Sequence, residues 1–381
     1  MLAEGKSIKG QVLALIRDEG PMPRAEVARR LALSPTTITR AVNELVSDDV
    51  LAEGAAQWPA GAARPPARLH ILADACLVGA VQIGIGVVHL GIFNAQGERR
   101  AASQFSHGPD SDGEAAMQSI AEGMDALCAQ SGIRKQQLRG IGVAVPGPVD
   151  AAGRRMLVSI RLDWRNFPIA DRLEAAMGLP VKIEHNVRSM ALAEARFGQG
   201  RGLGSVAFVY LRSGLGAGLV VHGQPFSGGV HGAIELGHLP VIEGGEPCVC
   251  GGRGCIETVL SEEALRHTTE RLGIAPEPNA LSALWAASRH RQDAARAVDA
   301  IVTPLATGLN AITTLLNPGL MLLGGALAEL PDEMFEQIVQ TTWRGAFPLI
   351  RESIRIERSR LGPDAGLPGA AAVALDEFLY A

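Results

Sequence analysis

Long uninterrupted apolar runs and a strong charge of either sign are missing from this chain of 381 residues, and aromatic side chains are scarce. No run reaches the roughly 18 apolar residues that a membrane-spanning helix needs. The first residues lack the apolar stretch of a secretion signal. Together these absences set the expectation of a cytoplasmic protein with no membrane insertion. Aromatics make up only 4%. The formal net charge of −5 argues against a protein coated in basic surface for nucleic acid. That charge is uneven, with +1 in residues 1–70 against −6 in the remainder, so any contact with DNA belongs near the N-terminus. Cysteine is scarce too. Of the five, Cys76 and Cys128 stand apart and read as small core residues, while Cys248, Cys250 and Cys255 cluster.

A hydrophobic share of 47% and a charged share of 20% describe a soluble globular protein. The length asks for two or three domains. The 45 glycines point to many tight turns and close backbone approaches.

Ile8, Val12, Leu15 and Ile16 fall on one stripe of an amphipathic helix that Gly20-Pro21 stops. A second short helix is expected from about Arg24 to Leu31, with Val27, Ala28 and Leu31 inward. Ser34-Pro35 then supplies a side-chain cap followed by proline at the first helical position. Ile38, Val42, Leu45 and Val46 form the inward stripe of a third helix, which leaves Thr36, Thr37, Thr39, Arg40 and Asn43 outward. Two short helices, a tight turn and a third helix of this kind make a helix-turn-helix. Its third helix suits the major groove, where Arg40 and Asn43 read base edges and the threonines reach phosphates. A three-helix module for protein contacts fits the same pattern. Val50–Gly54 reads as a strand entering a wing and Arg64–Leu69 as its return, with Arg64 and Arg68 placed for minor-groove or phosphate contact. Residues 55–68, rich in Ala, Pro and Gly, double as a linker.

From Leu69 onward strand-like and helical runs alternate, which is the signature of an α/β domain. Strands are expected at Leu77–Ile83, Val87–Phe93, Ile141–Val145 and Val206–Tyr210, the last running towards a glycine segment at Ser213–Gly218. The first two lack an intervening helix and suggest a hairpin start, as in actin-like ATPase folds. Helices are expected near Glu114–Ala129, Ile169–Met177, Val187–Phe197 and Pro304–Leu316. No internal repeat is visible. The sharpest chemical signal is His238 followed by Cys248, Cys250 and Cys255. Three thiolates and an imidazole within 18 residues can close a tetrahedral shell around structural zinc. The competing reading is three unrelated buried thiols.

Several segments carry a resemblance to a known family. They are Glu235-Leu-Gly-His238, the cysteine cluster with Gly254-Cys-Ile-Glu257, Val145-Pro-Gly-Pro148, Leu162–Pro168, Ile183–Glu194 and Leu322–Ala326. Together they resemble the ROK family of repressors and sugar kinases, and the N-terminal helices resemble its repressor branch. The resemblance implies a winged helix-turn-helix followed by a two-lobed actin-like ATPase (ribonuclease H-like) domain. The implied division is residues 1–70 for the DNA-binding domain and linker, then 71–185 for a first α/β lobe. A C-terminal helix at 366–381 packs back on that lobe, and residues 186–365 form a second lobe with the zinc loop and an oligomerisation surface. It also implies sugar contacts at His185, Asn186, Glu235, His238 and Glu257, and a homodimer or homotetramer. The competing reading of Glu235 and Glu257 is as braces for the zinc loop.

Two departures bear on chemistry. In the family's kinases the position of Asn186 carries an aspartate that takes the proton from the sugar hydroxyl, and an amide has no useful basicity. Losing a positioned base costs about 10²–10⁴-fold. His185 is a conceivable substitute base. The first phosphate loop of those kinases carries an acidic residue where Gln82 stands here, and Ile85 and Val87 crowd the turn. Arg212 precedes the second glycine segment, where small residues are usual. The expected function is therefore a sugar-responsive regulator, a repressor of double-stranded operator DNA without kinase activity. The alternatives are an active sugar kinase with an accessory DNA-binding domain, and a repressor controlled by a protein partner.

Overall fold

The computed structural model describes residues 7–54, 67–107, 112–229, 234–362 and 365–381. Contacts divide the chain into two compact units, Met1–Ser189 with Gly366–Ala381, and Met190–Ala365.

The first unit opens with helices α1 (Ile8–Glu19), α2 (Arg24–Leu31) and α3 (Pro35–Ser47), then strands β1 (Leu51–Gly54) and β2 (Arg68–Ile71). Ser7 caps α1 by accepting from Gly10 N at 3.0 Å, and Ser34 caps α3 by accepting from Thr37 N at 3.1 Å. Val12, Leu13 and Ile16 meet Val27, Leu31, Ile38, Val42 and Leu45 in a small aliphatic core. Leu13 is buried where Leu15 was expected, and Ile8 is exposed. The buried arc of α1 is wider than one stripe because its other flank meets the C-terminal residues. β1 and β2 pair antiparallel, with Leu51 opposite Ile71 and Gly54 opposite Arg68, and so form the base of the wing.

Next come β3 (Leu77–Ile83), β4 (Val87–Asn94), β5 (Arg99–Ser106), α4 (Gly113–Ser131), β6 (Leu138–Val145), β7 (Met156–Ser159), β8 (Trp164–Phe167), α5 (Ile169–Met177), β9 (Val181–His185) and α6 (Asn186–Phe197). The sheet order is β5-β4-β3-β6-β9, antiparallel from β3 to β5 and parallel from β3 through β6 to β9. Ile120 and Met124 of α4 and Leu173 of α5 pack on Ile141 and Val143 at one face. The other face carries the last helix of the chain, α13 (Gly366–Phe378). A Cβ at Gly142 would stand 2.0 Å from the Ala370 carbonyl oxygen, so α13 lies almost on the backbone of β6. That closeness explains the run of small residues Ala370, Ala371 and Ala372.

The second unit contains β10 (Ser205–Leu211), β11 (Leu215–Val221), β12 (Gln224–Pro225), α7 (Glu257–Leu260), α8 (Glu262–Leu272), α9 (Ala280–Ser288), α10 (Gln292–Leu316), β13 (Leu320–Gly325), α11 (Asp332–Arg344), α12 (Pro348–Ser353) and β14 (Arg355–Arg358). Its sheet order is β12-β11-β10-β13-β14, again antiparallel on the hairpin side and parallel on the other. Both units thus share one strand order, third-second-first-fourth-fifth. Two expectations change here. Only the start of the glycine segment forms a turn, closed by Arg212 N donating to Gly214 O at 3.0 Å. From Leu215 onward the segment is strand β11, because Leu215, Ala217 and Leu219 face the core while Gly216 and Gly218 lie opposite Tyr210 and Phe208. The helix expected at Pro304 begins at Gln292. It is long and apolar enough by composition to cross a membrane, but Leu305, Leu309 and Ile312 belong to the core of this unit.

Candidate nucleic-acid interface, metal centre and ligand site

Thr36, Thr39, Arg40 and Asn43 are exposed and recur at helical spacing, so they share one face of α3. Thr37 is half-buried, with its hydroxyl 2.8 Å from Ser34 Oγ, and belongs to the helix cap. Arg40 pairs with Glu44 at 3.2 Å while its side chain stays 85% exposed, a surface pair that a stronger partner can displace. Asn43 Oδ1 accepts from Arg24 Nη1 at 2.7 Å. Arg68 is exposed at the open end of the wing pair, opposite Gly54. Arg64 lies outside the described residues.

In the second unit, Glu235 precedes a single 3-10 turn, Leu236–His238, that brings His238 towards the cysteine loop. His238 Nδ1 lies 3.5 Å from Cys248 Sγ, and Cys250 Sγ lies 3.8 Å from Cys255 Sγ. All four donor atoms fall within 4.8 Å of one another. The loop closes by two hydrogen bonds of 2.9 Å, Cys248 N to Gly252 O and Gly251 N to Cys248 O. Gly254 has φ 69°, and a Cβ there would stand 2.0 Å from the Ile242 carbonyl oxygen. Only glycine fits that position. Three sulfurs and one imidazole nitrogen packed this closely are the donor set of a soft or borderline divalent ion.

Glu257 is the first residue of α7, and its carboxylate accepts from Leu215 N at 3.2 Å. The side chain therefore sits on the turn between β10 and β11. Glu235 is exposed.

In the first unit, His185 ends β9 and Asn186 begins α6. Asn186 Nδ2 donates to Ile83 O at 3.2 Å, which ties the amide to the β3–β4 hairpin and turns Oδ1 away from it. Asn186 Oδ1 and His185 Nδ1 are both buried without a partner among the described residues. Burial, with a smaller push from the Arg188 guanidinium, holds the His185 imidazole down at about 4. The ring is thus neutral near pH 7. Two adjacent orphaned polar atoms are costly unless a ligand or water meets them. Gln82 lies on the α13 side of β3, with its amide against Gly366.

Two residues of these sites escaped the sequence reading. Arg24 of α2 contacts Asn43 and also grips Glu53, and no local pattern announces partners that lie 19 and 29 positions away. Arg188, with its side chain 9% exposed, pairs with Glu184 at 3.1 Å beside His185.

Comparison with known proteins agrees with this architecture. The ROK family pattern matches residues 78–377, and a winged helix-turn-helix DNA-binding pattern matches residues 7–51. The DNA-binding transcriptional repressor Mlc of Escherichia coli is 25% identical over 96% of this chain and 92% of its own length. A glucokinase of Halalkalibacterium halodurans is 28% identical over 78% of this chain and 94% of its own. A crystallised ROK family transcriptional regulator, described as a homologue of the E. coli Mlc protein, superposes with a TM-score of 0.82. It shares 25% identity and covers 98% of this chain and 96% of its own. With a family match over most of its length, a winged helix-turn-helix in front and the duplicated sheet order behind, the chain belongs to the ROK family.

Proposed function

We propose that this protein is a DNA-binding transcriptional repressor whose hold on operator DNA is set by a sugar or sugar derivative, in a ROK domain that no longer phosphorylates. The observation that carries the reading is the exposed polar face of α3, Thr36, Thr39, Arg40 and Asn43, presented by a winged helix-turn-helix on the same chain as the ROK domain. Arg68 and Arg64 are the proposed backbone contacts of the wing, and Thr37 supports the face through its cap. The proposed domains are residues 1–70, then 71–185 with 366–381, then 186–365, and the proposed assembly is a homodimer or homotetramer.

The proposed sugar contacts are His185 and Asn186 in the first unit and Glu235, His238 and Glu257 in the second. The orphaned Oδ1 of Asn186 can accept from a sugar hydroxyl, and the neutral His185 ring can donate or accept. Asn186 has no carboxylate with which to take a proton from that hydroxyl, and Gln82 offers none for magnesium. Both features favour binding without phosphoryl transfer over the kinase reading.

Zinc is the proposed metal, held by His238, Cys248, Cys250 and Cys255. Bond lengths near ~2.3 Å to sulfur and ~2.0 Å to nitrogen give a tetrahedron with edges of about 3.8 and 3.5 Å. Those edges match the Cys250–Cys255 and His238–Cys248 separations of 3.8 and 3.5 Å. Four protein donors leave no open position, so bound zinc would supply structural cross-linking alone. Ligation through Nδ1 leaves His238 Nε2 with a fixed tautomer for a sugar hydroxyl.

A thermal-shift screen of the zinc-loaded protein against sugars, sugar phosphates and polyols, with and without Mg-ATP, tests the reading. A ligand at a hundred times its dissociation constant adds about 2.7 kcal/mol. A shift with one sugar and none with Mg-ATP is expected. Mg-ATP stabilisation with ADP release supports the kinase reading, and no shift with any sugar supports control by a protein partner.

A further inference from the structure

Arg24, the first residue of α2, reaches two other elements at once. Its Nε and Nη2 grip both carboxylate oxygens of Glu53 in β1 at 2.6 and 3.0 Å, while Nη1 donates to Asn43 Oδ1 of α3 at 2.7 Å. The guanidinium charge is met by Glu53, so Arg24 is not a spare clamp for phosphate. A guanidinium has donors only, so the Asn43 atom it meets must be the oxygen. Chemistry therefore fixes which way the amide points. Asn43 is exposed on the face that carries Thr36, Thr39 and Arg40, and its Nδ2 has no partner among the described residues. What it presents outward is a pair of N–H donors.

We infer that Arg24 is a positioning residue that makes Asn43 a donor-only reader of the major groove, and that the base Asn43 reads is guanine. The inference rests on the DNA-binding reading above. An unconstrained asparagine favours adenine, accepting from N6 and donating to N7. That mode needs the carbonyl oxygen, which here is held by a cation. Guanine offers two adjacent acceptors, O6 and N7, to the two N–H groups. Adenine and cytosine would set an amino group against them, and thymine offers a single acceptor.

The test uses the full-length, zinc-loaded protein. Duplexes are selected from a random library, and each position of the selected half-site is then varied in competition binding. The wild type is expected to prefer guanine by about fivefold or more at one position of each half-site. Asn43→Ala should erase that preference and no other. Asn43→Asp keeps an oxygen for Arg24 but has no N–H, and should switch the same position to cytosine, which presents a donor. Arg24→Met frees the carbonyl oxygen and should move the position towards adenine while the remaining positions hold. A brace without a role in reading would instead weaken all sequences equally on Arg24→Met, and that result overturns the inference. So does an Asn43→Ala protein with unchanged preferences, even though DNA binding itself then stands. A wild type that enriches no sequence overturns both the DNA-binding reading and the inference built on it.

Discussion

Arg17 of α1 donates to Asp376 of α13 at 2.8 Å, joining residues 359 positions apart. The same guanidinium stacks 4.3 Å from the centroid of the Tyr380 ring, whose hydroxyl donates to Ala95 O at 2.9 Å. Ser7 Oγ, at the other end of α1, donates to the carbonyl of Ala381 at 2.9 Å. The DNA-binding helices are thereby fastened to the helix that lies along β3, β6 and β9. That helix begins against Gln82, in the hairpin to which Asn186 is tied.

Arg17 is only 8% exposed, so this joint is a packed one. Arg17→Ala should cost about 2–3 kcal/mol, read by urea unfolding of the full chain, because it removes a buried cation and the flat surface covering Tyr380. Arg17→Lys should recover only part of that loss. A lysine cannot fork onto Asp18 while it reaches Asp376 and stacks on the ring.

Removal of the metal should be visible without any DNA. The purified protein is expected to carry one zinc per chain, measured by elemental analysis, and prolonged chelation should lower its melting temperature. Cys255→Ser should abolish the bound zinc, since Cys255 is the buried member of the four donors. A protein that retains its stability after verified zinc loss would contradict a structural site.

Asn186→Ala removes the amide that faces the proposed sugar and leaves the Ile83 carbonyl to water. Sugar affinity should fall about tenfold or more by calorimetry, the worth of a buried hydrogen bond to a hydroxyl. The fold should survive, because Asn186 is not part of the core. Asn186→Asp should leave ADP production at background, since Gln82 still occupies the first glycine hairpin. Kinase turnover in that variant would show that only the base had been lost.

The His185 ring fixes the sign of one pH effect. Its folded value of about 4 lies below the ordinary value of 6.5, so the unfolded chain takes up a proton that the folded one refuses. The stability from this group is complete above pH 6.5 and is lost as pH falls towards 4. The loss is at most about 3 kcal/mol. Unfolding titrations of the wild type and His185→Asn should converge over that window. Parallel curves would contradict a neutral buried ring.

Much of this was legible in the sequence because local chemistry decided it. Ser34-Pro35 announced α3, the apolar run Leu77–Ile83 announced β3, and the cysteine spacing announced a metal site whose donors do converge. What was hidden depended on distant partners. The glycine segment Ser213–Gly218 gave no sign of a strand, yet pairing with Tyr210 and Phe208 across the hairpin makes it one from Leu215 onward. The shared strand order of the two units left no visible repeat, because each sheet meets different helices and so selects different side chains. No local pattern marks the roles of Arg17 and Arg24, because folding alone brings Asp376 and Tyr380 to the one and Glu53 and Asn43 to the other.

The most direct test of the whole account is a fluorescence-anisotropy titration. The full-length, zinc-loaded protein would be titrated onto a duplex from its own promoter region, with and without the sugar that stabilises it. Salt-dependent binding is predicted, with saturating sugar changing the dissociation constant about 5–150-fold, the usual range for coupling between two sites on one protein. An identical binding curve with and without that sugar, or no binding to the promoter in either condition, would contradict it.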